Sequence, residues 1–201
     1  MSQVDGSESR VNDDDNGSEE MFPIVAIGAS ASGLAALESF FDALPDEVGA
    51  AFVVVQHLAP DHESELPRIL AAHTGLEVVT AAEETQLEPD CLYVIPPDKT
   101  LEVRGRTLHL EDRRKPSQKQ MTIDLLFRSL AEQHEGRAIG ILMSGAGSDG
   151  TAGLRAIKSH GGLTMAQDPE EAGFDEMPRS AISAGVVDVV APVGVLAERL
   201  V

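Results

Sequence analysis

The stretch IVAIGASASGLAALESFF, residues 24–41, decides the fold class of this chain. An apolar, β-branched run leads into a turn of glycine, alanine and serine, and apolar residues spaced three and four apart follow the turn. This order predicts a buried strand, a tight turn and a helix that packs back against the strand. The turn then lies at the carboxyl end of a strand, where open α/β sheets form their sites.

The same alternation of strand and helix patterns continues along the chain and indicates βαβ units. Strand runs such as AFVVV and AIGILM lack polar alternation, as expected for strands covered on both faces. In the middle of the chain, LEVVT and CLYVIP predict short strands, and TLEVRGRTLHL predicts a hairpin around Gly105. The predicted fold is therefore a three-layer, doubly wound α/β domain with a mostly parallel sheet and an antiparallel hairpin.

Length and composition limit the organisation and the partners. We expect residues 1–21 to be a disordered acidic leader and residues 22–201 to be one domain. The net charge of -19 argues against nucleic acid and anionic membranes as partners, because both need basic patches to neutralise phosphate. No secretory h-region or membrane-length apolar run is visible in the sequence, which predicts a soluble, cytoplasmic protein with no direct membrane insertion.

The single cysteine, Cys91, excludes a disulfide framework and a cysteine-based zinc cluster within this sequence. Its place in the apolar run CLYVIP indicates a small buried hydrophobe rather than a nucleophile. A metal pair of His57 and His62 is disfavoured because no clear third ligand accompanies it. We therefore expect no metal site.

Three turns follow predicted strands and carry the candidate chemistry: residues 28–33, the pair at 56–57, and residues 144–150. Ser30 presents a hydroxyl next to helix N-terminal amides, although Ser30 or Ser32 could equally cap the helix. His57 ends a predicted strand and is a candidate general base. Asp149 could orient that histidine, or cap the next helix. The interpretation that uses all three turns is a triad in the order Ser30, His57, Asp149.

The main competing interpretation is a nucleotide site. Gly145, Gly147 and Gly150 satisfy G-x-G-x-x-G between a strand and a helix, and Asp168 follows where a ribose-binding acid would lie, which predicts an NAD(P)-binding domain. Asp149 weighs against it, because a carboxylate near a pyrophosphate would repel it by roughly 1 to 4 kcal/mol. The nucleotide interpretation also leaves Ser30 without a role.

Five motifs in order closely resemble the catalytic domain of the chemotaxis receptor methylesterases, the CheB family. They run from Phe22 to the C-terminus: GASASG, near the family's G-A-S-[TA]-G-G; VVVQHL; IDLLFRSLA; SGAGSDG; and AQDPE followed by MPRSAI. The resemblance implies hydrolysis of γ-glutamyl methyl esters, and deamidation of glutamines, on the cytoplasmic helices of chemoreceptors. It implies Ser30 as nucleophile, His57 as base, Asp149 as the orienting acid, and no cofactor or metal. The amides of Ala31 and Ala146 match the positions proposed to line the oxyanion hole.

The sequence departs from the family pattern at three points. Ser32 replaces the first glycine of the G-G pair, Ala146 stands where many members have methionine, and the acidic leader stands where members usually have a receiver domain. In these features the chain looks most like members fused to a CheR methyltransferase and sensor domains, so a methyltransferase or sensor kinase domain is an expected partner. A non-catalytic binding module with the same fold is the remaining alternative.

Overall fold

The computed structural model describes residues 22–57, 65–112 and 121–201. The predicted acidic leader, residues 1–21, and His62 lie outside the described residues. Within these ranges the strands are β1 (Ile24–Ser30), β2 (Ala51–His57), β3 (Glu77–Thr80), β4 (Thr85–Gln86), β5 (Cys91–Val94), β6 (Lys99–Arg104), β7 (Thr107–Asp112), β8 (Ala138–Leu142), β9 (Leu163–Gln167) and β10 (Val189–Ala191). The helices are α1 (Leu34–Asp42), α2 (Leu66–Leu70), α3 (Thr122–His134), α4 (Thr151–Ser159), α5 (Glu176–Ser183) and α6 (Val193–Glu198).

The main sheet has seven strands in the order β10-β9-β8-β1-β2-β5-β3, and every neighbouring pair is parallel. The strands that follow β1 extend the sheet on one side through β2, and β8 resumes it on the other side of β1. This change of direction makes the crevice at the carboxyl end of β1 the place where a site is expected. In the β1–β2 register, Ser30 lies opposite His57.

Helices cover both faces of this sheet, and the two faces of β1 explain why its sequence shows no polar alternation. Ile24 and Ala26 belong to one apolar cluster, whereas Val25 and Ile27 belong to the other, because successive side chains of a strand point to opposite faces. The first cluster contains residues of α3, α4 and α5, and the second contains residues of α1, α2 and α6. The predicted three-layer, doubly wound fold is confirmed.

The antiparallel hairpin is also confirmed, but it lies in a second, three-stranded sheet of order β4-β7-β6. Its turn contains Gly105 at a φ of 56°, a left-handed conformation that glycine adopts without strain. Leu101, Val103 and Leu108 of this sheet join the apolar cluster that contains α3. The small sheet therefore extends the core on the α3 side.

One β-strand and one α-helix of the described residues were not predicted, and one helix is shorter than predicted. Strand β4 has two residues and α6 has six, so both are too short to show a period in the sequence. The pattern LPRILAAH predicted a helix through His73, but α2 ends at Leu70. All other predicted strands and helices are present within the described residues.

Two buried carboxylates join α3 to α4 by capping each other's helices. Asp149, which precedes α4, accepts hydrogen bonds from the backbone N–H groups of Ile123 (3.1 Å) and Asp124 (2.9 Å) at the start of α3. In return, Asp124 Oδ1 accepts the Gly153 N–H in the first turn of α4 at 2.7 Å. These bonds satisfy N–H groups that have no partner within their own helices.

The two helices also approach each other closely at Gly153. A Cβ built at this position would lie 2.5 Å from Phe127 Cβ and 3.1 Å from Asp124 Cα, which is too close for any side chain. The close packing at Gly153 and the reciprocal capping are therefore both satisfied by one relative position of α3 and α4.

We predict that Asp124→Asn leaves stability at neutral pH unchanged or raises it, whereas Asp124→Ala lowers the free energy of unfolding by about 1 kcal/mol. Burial raises the pKa of Asp124; the Gly153 N–H opposes this rise and the nearby Asp149 charge adds to it. A raised carboxyl pKa means that the folded state holds its proton to higher pH than the unfolded chain. The contribution of Asp124 to the free energy of unfolding therefore falls as the pH rises above 3.8, the ordinary pKa of this carboxyl group.

Urea unfolding of the parent and both variants between about pH 4 and pH 7 tests this prediction. Asparagine keeps an oxygen for the Gly153 N–H but carries no charge, so its advantage over the parent should increase with pH. An asparagine variant destabilised as much as the alanine variant at pH 7 would contradict it.

Candidate active site

Ser30 is the last residue of β1, and its backbone is tied to the segments on both sides of that strand. Its N–H donates to the Ser144 carbonyl at 3.1 Å, and its carbonyl accepts from Gln56 Nε2 at 3.2 Å. Ser30 has an extended backbone (φ -91°, ψ 179°), and a 3₁₀ turn over Ala31–Gly33 follows it before α1. The Ser30 side chain therefore stands at a sharp strand-to-helix turn, as the sequence predicts.

The glycine and serine positions of this turn differ in the space around them. A Cβ at Gly33 would lie 2.8 Å from both the Ser144 carbonyl oxygen and Ala29 Cβ, so only glycine fits there. Ser32, in contrast, is exposed. This difference explains how a serine is accommodated one residue before an indispensable glycine.

The two serine hydroxyl groups of the turn contact each other. Ser30 Oγ lies 2.6 Å from Ser32 Oγ and also accepts the Ser32 N–H at 3.3 Å. These are the hydrogen bonds of the Ser30 hydroxyl within the described residues. Ser30 therefore caps the 3₁₀ turn and not α1, whose N-cap is Gly33, and its side chain is half-buried at the carboxyl end of β1.

His57, the last residue of β2, pairs with Asp149 across the crevice. His57 Nε2 lies 2.8 Å from Asp149 Oδ2, with the histidine side chain 21% exposed and the aspartate side chain 4% exposed. A carboxylate can only accept, so Nε2 carries the proton in the neutral ring and Nδ1 keeps a free lone pair. Asp149 thus determines which ring nitrogen can act as a base.

Asp149 accepts four hydrogen bonds, which together compensate its burial. Besides the His57 ring and the two α3 amides, the Gly150 N–H donates to Oδ1 at 2.9 Å. Its side chain therefore caps α3 rather than α4, the helix that the sequence suggested it might cap. The carboxylate that orients His57 is therefore itself held by hydrogen bonds from three backbone N–H groups.

The loop after β8 completes the rim of the crevice. Gly145 N–H donates to the Phe174 carbonyl at 2.8 Å, and Gly147 N–H donates to Glu176 Oε2 at 2.7 Å. The Ala146 N–H between them donates no hydrogen bond within the described residues, and Ala146 is exposed. This amide remains available to a bound molecule. Glu176, which sequence reasoning missed, helps to hold the loop in this conformation.

A chain of polar groups that starts at the buried side chains of Ser144 and Gln167 supports the same loop. The Ser144 N–H donates to Gln167 Oε1 at 2.8 Å, and Ser144 Oγ accepts the Phe174 N–H at 3.0 Å. Gln167 Nε2 in turn donates to Glu171 Oε2, which also accepts the Val193 N–H. Single side chains of this kind, spread over fifty residues of sequence, leave no local pattern from which to predict the network.

The nucleotide interpretation finds little support in this geometry. In a dinucleotide site the amides of the glycine-rich loop face a pyrophosphate, but here Gly147 N–H is bound to the Glu176 carboxylate. Asp149 points its charge into the same turn. Asp168 accepts the Glu170 N–H at 2.9 Å and so forms a local turn. All three features weigh against a dinucleotide at this loop.

Other candidate groups contribute no site in the part of the chain that the structure describes. No cluster of three or more histidine, cysteine, aspartate or glutamate side chains is arranged to hold a metal there. Cys91 is half-buried on β5, and burial raises the pKa of its thiol, which disfavours the nucleophilic thiolate. Over the same residues, no helix combines the length and the hydropathy that a membrane span would need.

Comparisons with known proteins identify the family of the chain. The family model described as CheB methylesterase matches residues 25–200. A Leptospira interrogans protein is 34% identical over 181 residues, which make up 90% of this chain and 94% of that protein. The protein-glutamate methylesterase/protein-glutamine glutaminase of Moorella thermoacetica is 36% identical over 188 residues, 89% of this chain and 43% of that relative.

The fold has a solved counterpart. The crystal structure of the Thermotoga maritima CheB methylesterase catalytic domain matches with a TM-score of 0.81 at 29% identity, covering 90% of this chain and 97% of that one. Because the family model spans almost all of the described fold, the chain belongs to the CheB methylesterase family.

Proposed function

We propose that this chain hydrolyses γ-glutamyl methyl esters of proteins with Ser30, His57 and Asp149 as a catalytic triad, residues 22–201 forming the catalytic domain. The observation that carries the proposal is the 2.8 Å bond from His57 Nε2 to the buried Asp149, next to a serine that ends the neighbouring strand. This bond leaves His57 Nδ1 as the acceptor for the Ser30 proton. A ring oriented by a carboxylate beside a serine turn is the arrangement that activates a hydroxyl.

The reaction proceeds in two steps. Ser30 Oγ attacks the ester carbonyl carbon while His57 Nδ1 takes its proton, and the imidazolium then gives that proton to the departing methoxide, which leaves as methanol. Water next attacks the glutamyl-serine ester with His57 again as base. The products are glutamate and the regenerated Ser30 hydroxyl.

The amides of Ala31 and Ala146 are the proposed oxyanion donors. Ala31 follows the nucleophile at the start of the 3₁₀ turn, where backbone N–H groups point towards the helix N-terminus. The Ala146 N–H supports this role because no hydrogen bond within the described residues uses it. Two such donors near the carbonyl oxygen stabilise the negative charge that develops during attack.

The substrates and partners follow from the family. We propose the cytoplasmic helices of methylated chemoreceptors as substrates, with deamidation of glutamines by the same attack and with ammonia as the leaving group. A CheR methyltransferase or a sensor kinase domain is the proposed protein partner, and the cytoplasm the proposed location. No step requires a cofactor or a metal, since serine, histidine and aspartate supply all proton transfers.

We predict that Ser30→Ala lowers methanol release from a methyl-labelled chemoreceptor by several orders of magnitude, because it removes the nucleophile. Ser32→Ala, which removes a hydroxyl two residues away, should lose no more than about fivefold in rate, the effect of one neutral hydrogen bond. Methanol release is followed after incubation of each variant with the labelled receptor. If Ser30→Ala retained activity and Ser32→Ala lost it, Ser32 would be the nucleophile instead.

We also predict that Asp149→Asn lowers kcat by about 10² to 10⁴, because the amide favours the wrong ring tautomer of His57. The two backbone N–H groups at the Oδ1 position favour the amide oxygen there and place the amide NH₂ against His57 Nε2. The variant should also have a lower free energy of unfolding, because the NH₂ group of the asparagine side chain faces a backbone N–H group and two donors cannot form a hydrogen bond with each other. Asp188→Asn is the matched control: Asp188 is a second aspartate that accepts a backbone N–H, from Thr164, but it lies away from the crevice. An Asp149→Asn variant with kcat as high as that of the Asp188→Asn control would exclude Asp149 from the triad.

A further inference from the structure

The Ser32 hydroxyl makes a contact that the triad mechanism does not use. Ser32 Oγ lies 2.6 Å from Ser30 Oγ, at the short end of the range for a hydrogen bond between two hydroxyl groups. Ser32 is exposed, so neighbouring side chains do not confine it to this position. The contact therefore reflects a hydrogen bond between the two hydroxyl groups.

Either hydroxyl can donate in this contact, and the structure shows no hydrogen bond between Ser30 Oγ and His57, so the direction of the Ser30–Ser32 bond is set by the proposed mechanism. Because Nε2 donates to Asp149, Nδ1 is the ring atom that receives the single proton of Ser30 in the proposed mechanism. Ser30 Oγ then serves as an acceptor towards the turn, where it already accepts the Ser32 N–H at 3.3 Å. When Ser30 donates to His57, Ser32 Oγ must donate to Ser30 Oγ.

We propose that Ser32 is a second hydroxyl of the site and that it speeds release of the acyl group from Ser30. This inference rests on the proposed function. A hydroxyl or alkoxide oxygen is a good hydrogen-bond acceptor, whereas the alkyl oxygen of an ester is a poor one. The hydrogen bond from Ser32 to Ser30 Oγ is therefore strong in the free protein and weak in the glutamyl-serine intermediate. It becomes strong again as the bond between the acyl carbon and Ser30 Oγ breaks.

The step that Ser32 assists is the collapse of the second tetrahedral intermediate. Water has added to the carbonyl carbon, and its proton is on His57 Nδ1. The bond from carbon to Ser30 Oγ breaks, its electron pair remains on Oγ, and Oγ takes the proton from Nδ1. Ser32 donates a hydrogen bond to that oxygen throughout and keeps its own proton.

The test uses a receptor cytoplasmic fragment that carries labelled glutamyl methyl esters. The parent and Ser32→Ala are mixed with the fragment, quenched in acid during steady-state turnover, and analysed by mass spectrometry for the covalent adduct to the fragment. A neutral hydrogen bond contributes enough to change a rate by about fivefold. We expect the fraction of chain held as adduct to rise by about that factor in Ser32→Ala, with kcat/KM not reduced.

Two further variants separate this role from a structural one. Ser32→Thr keeps a hydroxyl and should return the adduct to the parent level. Ser159→Ala removes an exposed hydroxyl that bonds the Arg155 carbonyl at the far end of α4, and it should leave the adduct unchanged.

The outcomes are distinct. If the parent turns over and Ser32→Ala accumulates no more adduct than the parent, the role of Ser32 is wrong and the esterase proposal stands. If the parent releases no methanol, or if peptide fragmentation places the acyl group on Ser32, the proposed function or its nucleophile is wrong and this inference fails with it.

Discussion

The structure depends on how one buried carboxylate, that of Asp149, is compensated. An unpaired charge at this depth would cost several kcal/mol, so each hydrogen bond to it is held firmly in the folded state. Two of those bonds come from the first turn of α3, one from the Gly150 amide and one from the His57 ring. The same interaction thereby places the start of α3, the loop after β8 and the proposed base.

This arrangement links stability and chemistry more tightly than a triad on three independent loops would. Asp124, in the first turn of α3, caps α4 in return, and the absence of a side chain at Gly153 lets the two helices meet closely. A change in the packing of α3 against α4 would move the carboxylate, and the carboxylate would move the histidine. Rigid elements beneath a site provide this kind of preorganisation, which positions groups before the substrate arrives.

The central position of β1 brings the remaining groups together. Its neighbours β2 and β8 supply His57 and the Ser144 segment, and the Ser30 backbone is bonded to Ser144 on one side and to Gln56 on the other. In the turn that follows, Gly33 packs closely against Ala29 and Ser144, whereas Ser32 is exposed. The glycine of the family pattern is therefore kept at Gly33, where a side chain would not fit, and is replaced at Ser32, where the side chain is exposed. The replacement adds a hydroxyl beside Ser30.

The sequence by itself determined the parallel α/β fold, the hairpin and the three turns that carry Ser30, His57 and Asp149, because apolar periodicity and turn residues are local properties. It could not determine the functions of Glu176, Gln167 or Asp124, whose partners lie more than twenty residues away in the chain. Nor could it show that Asp149 caps α3 instead of α4, or that Nδ1 of His57 is the free nitrogen. Those features depend on which buried donors meet which acceptors, and only the packing of α3, α4 and the sheet decides that.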